Sequence, residues 1–429
     1  MTDMTQADHL VSSRRSLLFG SLAGVGALAL PASIASAGLG AQATPSLLPI
    51  ATDAVEPFRV RIAASDISSL RDRLRQTRWP DKETVNDWTQ GAPLEKVQQL
   101  VGYWRDGYDM KRLAAQLNAL PQFRTRIDGL GIHFIHVRSR HANATPIILT
   151  HGWPGSVIEF LKVIAPLTDP TSHGGRAEDA FHVVIPSLPG YGFSDKPTTR
   201  GWGLPRIARA WGTLMGRLGY SRYLAQGGDW GAGVTTWMAK QHVPGLTGIL
   251  LNLPLLVPPP IEGSPNAEEQ ATIAQLMKFN DDGAGYAKLQ GTRPQTIGYA
   301  LADSPAGQAA WIYEKFAAWT DSRMQPEAVL SRDEMLDNIM LYWITDTAAS
   351  SARLYAESFA TDFTTQKLDL PVAVSVFPGE LYRPLRLWGE RTYSKLVYWN
   401  EATRGGHFAA FEQPVIFVSE LRQSAMKLL

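Results

Sequence analysis

Short apolar runs and amphipathic stretches alternate through the middle of this chain. Pro146-Ile147-Ile148-Leu149-Thr150, Phe181-His182-Val183-Val184-Ile185, Tyr223-Leu224-Ala225, Leu246 to Leu253, Pro371 to Phe377 and Leu396-Val397-Tyr398-Trp399 are nearly continuous in apolar character. Strands buried on both faces have that pattern. Helical spacing separates the runs, so the expected fold class is α/β: a mostly parallel central sheet covered by helices. No period of roughly 20–50 residues repeats, which excludes solenoids and propellers.

Two segments break this rhythm. From Phe58 to Leu120 the spacing is helical, with Ser65 and Asp66 placed to cap Ile67 to Leu74 and with Leu94 to Leu120 continuing at helical period. This predicts an N-terminal extension over 56–140 ahead of a first core segment at 141–257. The second exception starts at the Pro258-Pro259-Pro260 break and runs through helical stretches to 345, before core material resumes over 346–429. An insertion at that point stands over the carboxyl ends of the strands, where open α/β sheets bind ligands. It is expected to be a helical cap.

The start of the chain has a different character. Ser13-Arg14-Arg15-Ser16-Leu17-Leu18-Phe19 opens an apolar run that ends at Leu30, and Ala35-Ser36-Ala37 follows it. Paired Arg ahead of a weakly hydrophobic run, closed by a small-x-small triplet, reads as a twin-arginine-type signal over 1–37. The run of about 14 apolar residues is short of the roughly 20 that a spanning helix needs. A flexible leader at 38–55 is expected next. The expected product is exported to the periplasm or medium of a bacterium and has no stable membrane span in its mature form.

Charge and composition remove further classes. Lys and Arg number 41 against 40 Asp and Glu, which gives no excess of charge to draw nucleic acid or an anionic surface. The chain has no Cys, so disulfides, thiolate nucleophiles and Cys-ligated metals are excluded. Neither a coiled-coil pattern nor an obvious interface is legible, and the oligomeric state is left open.

Three short motifs carry the chemistry. Gln226-Gly227-Gly228-Asp229-Trp230-Gly231-Ala232 lies between a strand and the helical pattern Gly233 to Gln241. In that context small neighbours let a tight turn present one side chain above the sheet, and here the side chain is a carboxylate. A carboxylate attacks carbon to form an ester and needs no base to activate it, which points to alkyl transfer from epoxides or haloalkanes. Downstream, Arg404-Gly405-Gly406-His407-Phe408 places one of nine His on a Gly-rich turn after the last strand, where a general base belongs. Between the two, Phe377-Pro378-Gly379-Glu380 puts a carboxylate directly after a strand, with Asp369 and Glu401 as competitors for the same role. Nucleophile, acid and His follow in the order of a catalytic triad. A third loop, His151-Gly152-Trp153-Pro154-Gly155-Ser156, follows the strand ending at Thr150. Its His151 is expected to brace the loop and its Ser156 to cap a helix.

These motifs, with Pro186-Ser187-Leu188-Pro189-Gly190-Tyr191-Gly192-Phe193-Ser194, Phe58-Arg59-Val60, Arg78-Trp79-Pro80 and Leu130 to His136, resemble the microsomal-type epoxide hydrolases of the α/β-hydrolase fold. The likeness runs from about Glu56 to the end. It implies that Asp229 is the nucleophile, His407 the base and Glu380 the acid, with the amides of Trp153 and Trp230 forming an oxyanion hole. It also implies two cap-domain tyrosines that hydrogen-bond the epoxide oxygen. Gly285-Tyr286 and Ser351-Ala352-Arg353-Leu354-Tyr355 match their sites, with Tyr299 as an alternative to Tyr286. The implied reactants are a small epoxide and water, without cofactor or metal. Mammalian microsomal members carry an N-terminal membrane anchor where this chain has an export signal, so localisation does not transfer from the family.

Overall fold

The computed structural model describes residues 53–254, 264–359 and 368–429. The signal, most of the leader and the Pro258-Pro259-Pro260 break lie outside the described residues. A nine-stranded sheet organises the described chain in the order β1-β2-β3-β5-β4-β6-β7-β8-β9. Its strands are β1 (Glu56–Phe58), β2 (Gln122–Ile127), β3 (Leu130–Val137), β4 (Thr145–Thr150), β5 (Phe181–Pro186), β6 (Tyr223–Gly227), β7 (Leu246–Leu251), β8 (Val372–Val376) and β9 (Leu396–Glu401). From β5 through β9 the neighbouring strands are parallel, whereas β1 to β3 join antiparallel, β3 lying against β5. β6 and β8 are buried along their whole length, as their unbroken apolar sequences require. The carboxyl ends of β4, β6 and β8 lead directly into the loops of His151, Asp229 and Glu380, and that of β9 into the turn of His407.

The extension departs from the helical expectation. It has three helices, Ala64–Arg75, Leu94–Asp106 and Arg112–Asn118, but also supplies the three antiparallel strands. Ser65 and Asp66 are not caps: the first helix starts behind Ala63 without a side-chain cap, and Asp66 stands in its first turn, where its charge faces the positive end of the helix dipole. The run from Leu94 to Leu120 is interrupted at Gly107, which leaves two helices. Helices fill the insertion from Ala267 to Ile344. The next helix, Ala348–Ser358, packs against Gly285–Thr292 and Pro294–Asp303, so by its contacts it stands with the insertion although it follows residue 345. No helix among the described residues is long and apolar enough to cross a membrane.

Extension and insertion both press on the loop after β4. Asn338, on the helix Arg332–Ile344, donates to the Pro154 carbonyl at 2.8 Å and accepts from the Ser156 hydroxyl at 2.7 Å, while the Tyr342 hydroxyl donates to the Gly155 carbonyl at 2.8 Å. One position earlier on that helix, Asp337 accepts from the Tyr108 hydroxyl at 2.7 Å and from Arg112 Nε at 2.9 Å, which ties it to the extension. Asn338 is fully buried. Replacing it with Ala leaves the Ser156 O–H donor and the buried Pro154 carbonyl without these partners, at about 2–4 kcal/mol together. The Asn338→Ala enzyme should unfold at lower urea concentration by that amount with an unchanged m-value; an unaltered midpoint would show that the clamp carries no weight.

Candidate active site

Asp229 opens the helix Asp229–Lys240 immediately after β6. Its φ is +50°, a left-handed conformation that costs a non-glycine residue about 1–3 kcal/mol. Glycines make this turn possible. A Cβ on Gly227 would lie 2.1 Å from the Gly231 carbonyl oxygen, one on Gly231 would lie 1.9 Å from the Thr150 oxygen, and one on Gly152 would strike the Asp229 carboxylate itself at 2.2 Å. The strand, the elbow and the β4 loop therefore close on each other with no room for side chains between them.

The carboxylate is held from two sides. Its Oδ1 accepts from the Trp153 backbone amide at 2.8 Å, and its Oδ2 stands 3.5 Å from His407 Nε2. The Trp230 amide lies in the first turn of its helix, where N–H groups have no intrahelical acceptor. On the far side of the imidazole, His407 Nδ1 meets Glu380 Oε1 at 2.6 Å, and that oxygen also accepts from the Leu381 amide at 2.9 Å. Both side chains are buried, 3% and 2% exposed. The two loops are stitched together by the Gly379 amide, which donates to the Gly405 carbonyl at 2.9 Å, and the His407 loop is tied to the insertion by the His407 amide, which donates to Trp319 O at 2.8 Å. The competitors for the acid position are elsewhere: Glu401 pairs with Arg383 at the surface, and Asp369 is exposed.

His407 is poised to carry a proton in this state. Burial opposes its protonation, but the Glu380 charge, hydrogen bonds to Asp229 and Glu380, and the Asp229 charge together raise its pKa well above the ordinary histidine value. His151 behaves in the opposite way. Its Nδ1 pairs with the Gly152 carbonyl at 2.9 Å and its Nε2 accepts from the Leu188 amide at 3.2 Å, while burial lowers its pKa to about 4. It is a neutral brace between two loops. Ser156 caps the short turn Val157–Phe160 through the Ile158 amide.

Opposite Asp229, Tyr286 and Tyr355 project from the insertion side into an aromatic chamber. Tyr286 stacks on Trp153, centroids 4.9 Å apart and 11° from parallel, and Tyr355 stands edge-on to Trp230 at 4.7 Å. The two phenol rings are 5.7 Å apart. Burial raises both pKa values, so both remain protonated donors near neutral pH. The Tyr355 hydroxyl is buried without a partner in good hydrogen-bond geometry, and the Tyr286 hydroxyl stands near enough to interact with it, so both phenols are placed to turn toward one acceptor between them. Tyr299, the alternative to Tyr286, is 71% exposed and does not belong to the site; on its helix the buried positions are Gly298 and Leu301.

Sequence reading did not single out Trp319, whose ring lies 4.9 Å from His407 and 5.2 Å from Tyr286. It is one of 13 Trp in a segment of unremarkable helical pattern, and no local signal marks it. The clamp residues Asn338 and Tyr342 were equally silent. Among the described residues no group of three or more His, Asp or Glu is arranged to hold a metal ion.

Comparison with known proteins places this geometry. Residues 55–160 match the family described as epoxide hydrolase N terminus, and residues 145–297 match the alpha/beta hydrolase fold. A Stigmatella aurantiaca protein, provisionally named an epoxide hydrolase, is 62% identical over 377 residues, 87% of this chain and 85% of its own. The solved epoxide hydrolase of Aspergillus niger superposes with a TM-score of 0.79 at 32% identity, covering 90% of this chain and 99% of that one. The juvenile hormone epoxide hydrolase of the silkworm Bombyx mori does so with a TM-score of 0.78 at 30% identity, covering 88% and 95%. Matched in its extension by the epoxide hydrolase N-terminal family and along nearly the whole described length by these relatives, this chain belongs to the epoxide hydrolase family of the α/β-hydrolase fold.

Proposed function

We propose that this enzyme hydrolyses apolar epoxides to vicinal diols through a covalent ester on Asp229. The observation that carries the reading is the double hold on one carboxylate: Oδ1 on the Trp153 amide and Oδ2 toward a His407 backed by Glu380. Oδ2 attacks an oxirane carbon while Tyr286 and Tyr355 donate to the opening oxygen, and Oδ1 becomes the ester carbonyl oxygen, already placed on the Trp153 amide, with the Trp230 amide at the start of its helix as the second donor to the developing oxyanion. Alkylation removes the Asp229 charge that had helped keep His407 protonated. The imidazole is thereby released to act as base when it is needed. Water activated by His407 then adds to the ester carbonyl, and the diol leaves.

Two features support an apolar substrate of limited size: the chamber walls are Trp153, Trp230 and Trp319, and the donors that stand together in it are the phenols of Tyr286 and Tyr355. A dehalogenase would share the carboxylate elbow, and the buried, unpartnered Trp230 Nε1 is the one feature here that would suit a halide. The unpartnered Tyr355 hydroxyl favours an oxygen acceptor. Chloride release from a chloroalkane panel should stay at background; release comparable to diol formation would reverse the choice. We also propose export directed by Arg14 and Arg15, and the double substitution of both by Lys should leave the enzyme in the cytoplasm, whereas unchanged export would exclude that signal.

The covalent route has an isotopic signature. After a single turnover of styrene oxide in ¹⁸O water, the label should be found in the Asp229 side chain and be absent from the diol. Label in the diol alone would mean direct attack by water. Replacing Tyr355 by Phe should slow ring opening by on the order of 10²-fold or more, read as the rate of ester formation in rapid quench, with ester hydrolysis little changed. Normal ring opening would remove Tyr355 from the mechanism.

A further inference from the structure

One carboxylate near the centre has no part in the steps above. Glu159 lies three residues beyond Ser156 in the turn that follows the His-Gly-Trp-Pro-Gly-Ser loop, and its Oε1 occupies the space a side chain on Gly155 would fill, 1.3 Å from where that Cβ would be. No basic side chain pairs with it among the described residues; its polar contact is a hydrogen bond from the Ser156 backbone. Glu159 lines a small cavity of ≈ 20 Å³, shared with Asp229, His407, Gln226 and Asn252. That volume admits one water. Neither Tyr286 nor Tyr355 borders this space, so it reaches Asp229 and His407 from outside the tyrosine pair. Gln226, fully buried, donates to Asn252 Oδ1 at 2.9 Å but leaves its own Oε1 without a partner. Its walls are partly aromatic, with Phe160, Phe408 and Phe417, but an unpaired acceptor, an imidazole and a carboxylate give a water there the two to four polar partners it needs.

We propose that this cavity holds the hydrolytic water and that Glu159 is a further catalytic residue, accepting one O–H of that water while His407 Nε2 takes the other. The assignment rests on the covalent reading given above. In the step, the water oxygen bonds to the Asp229 ester carbonyl carbon and one of its protons passes to His407. The carbon–oxygen bond to the glycol then breaks, and the departing oxygen takes that proton from the imidazolium. The remaining proton leaves the regenerated Asp229 for His407, replacing the one that the imidazolium passed after ring opening to the tyrosine that had donated, so that all three groups return to their starting forms. Glu159 orients the attack and keeps its own protonation state. Burial pushes its pKa up to about 8, with the His407 charge lowering it and the Asp229 charge raising it. As carboxylate or as carboxylic acid the group keeps an oxygen that can accept from the water.

The test is rapid quench with styrene oxide, following ester formation and ester decay separately in the full-length enzyme and in Glu159→Gln. The expected result is formation within about 2-fold of the parent enzyme and decay slowed by about 10–100-fold, so that ester accumulates. Normal formation shows in the same trace that the variant is folded. Should the amide prevent folding, Glu159→Asp keeps the charge but withdraws it from the cavity, and is expected to slow decay alone. Decay at the parent rate, or equal slowing of both phases, overturns the assignment. Absence of any ester in the parent enzyme overturns the covalent reading instead, and the water's place falls with it.

Discussion

A carboxylate standing at φ +50° on the end of a parallel sheet, with the Trp153 amide 2.8 Å from one oxygen, is the constraint to which the surroundings answer. The strain is local and costs about 1–3 kcal/mol. It persists because β6, the loop after β4 and the first turn of the helix Asp229–Lys240 touch backbone to backbone through Gly152, Gly227 and Gly231. Any side chain at these positions would push the amide and the carboxylate apart. The same contact fixes which oxygen faces the oxyanion donors and which is left toward His407.

Much of the rest of the chain keeps that loop from moving. The helix Arg332–Ile344 grips Pro154, Gly155 and Ser156 through Asn338 and Tyr342, and the N-terminal extension in turn grips that helix through Tyr108 and Arg112 on Asp337. A second brace runs through β2 and β3: Asp195 pairs with Arg124 and accepts from the Gly131 amide at 2.8 Å, and Ser194 accepts from the His133 amide at 3.0 Å. The extension is therefore a support for the active-site loops, remote in sequence and adjacent in space. Preorganisation of this kind is what makes an oxyanion donor effective, since it needs no rearrangement when charge develops.

The parts of this arrangement that depend on local chemistry were legible in the sequence. Continuous apolar runs announced β4 to β9 because strands buried on both faces have no polar side to show. Asp229, Glu380 and His407 were legible through their Gly-rich turns after strands, and the structure brings them within contact of one another. Tyr286 and Tyr355 came only through family resemblance; nothing in their spacing distinguishes them among 13 tyrosines. The antiparallel strands of the extension were hidden among helical spacing, and the caps expected from Ser65 and Asp66 failed because the helix starts one residue before them. Asn338, Tyr342 and Trp319 were illegible for a different reason: their places exist only through contacts between positions far apart in the chain, as with Ser156 and Asn338 at a separation of 182.

Electrostatics joins these parts into a cycle. In the free enzyme the charges of Glu380 and Asp229 raise the His407 pKa against the effect of its burial. On the covalent route proposed above, esterification removes one of those charges, so that the ester rather than the free enzyme is the state in which His407 activates water. The most direct measurement is intact-protein and peptide mass spectrometry of the His407→Gln enzyme after mixing with styrene oxide. The account predicts a stable adduct of one substrate mass on the peptide carrying Asp229, and no adduct when Asp229 is also replaced by Asn. Continued turnover by the His407→Gln enzyme without an adduct, or an adduct that survives loss of Asp229, would contradict it.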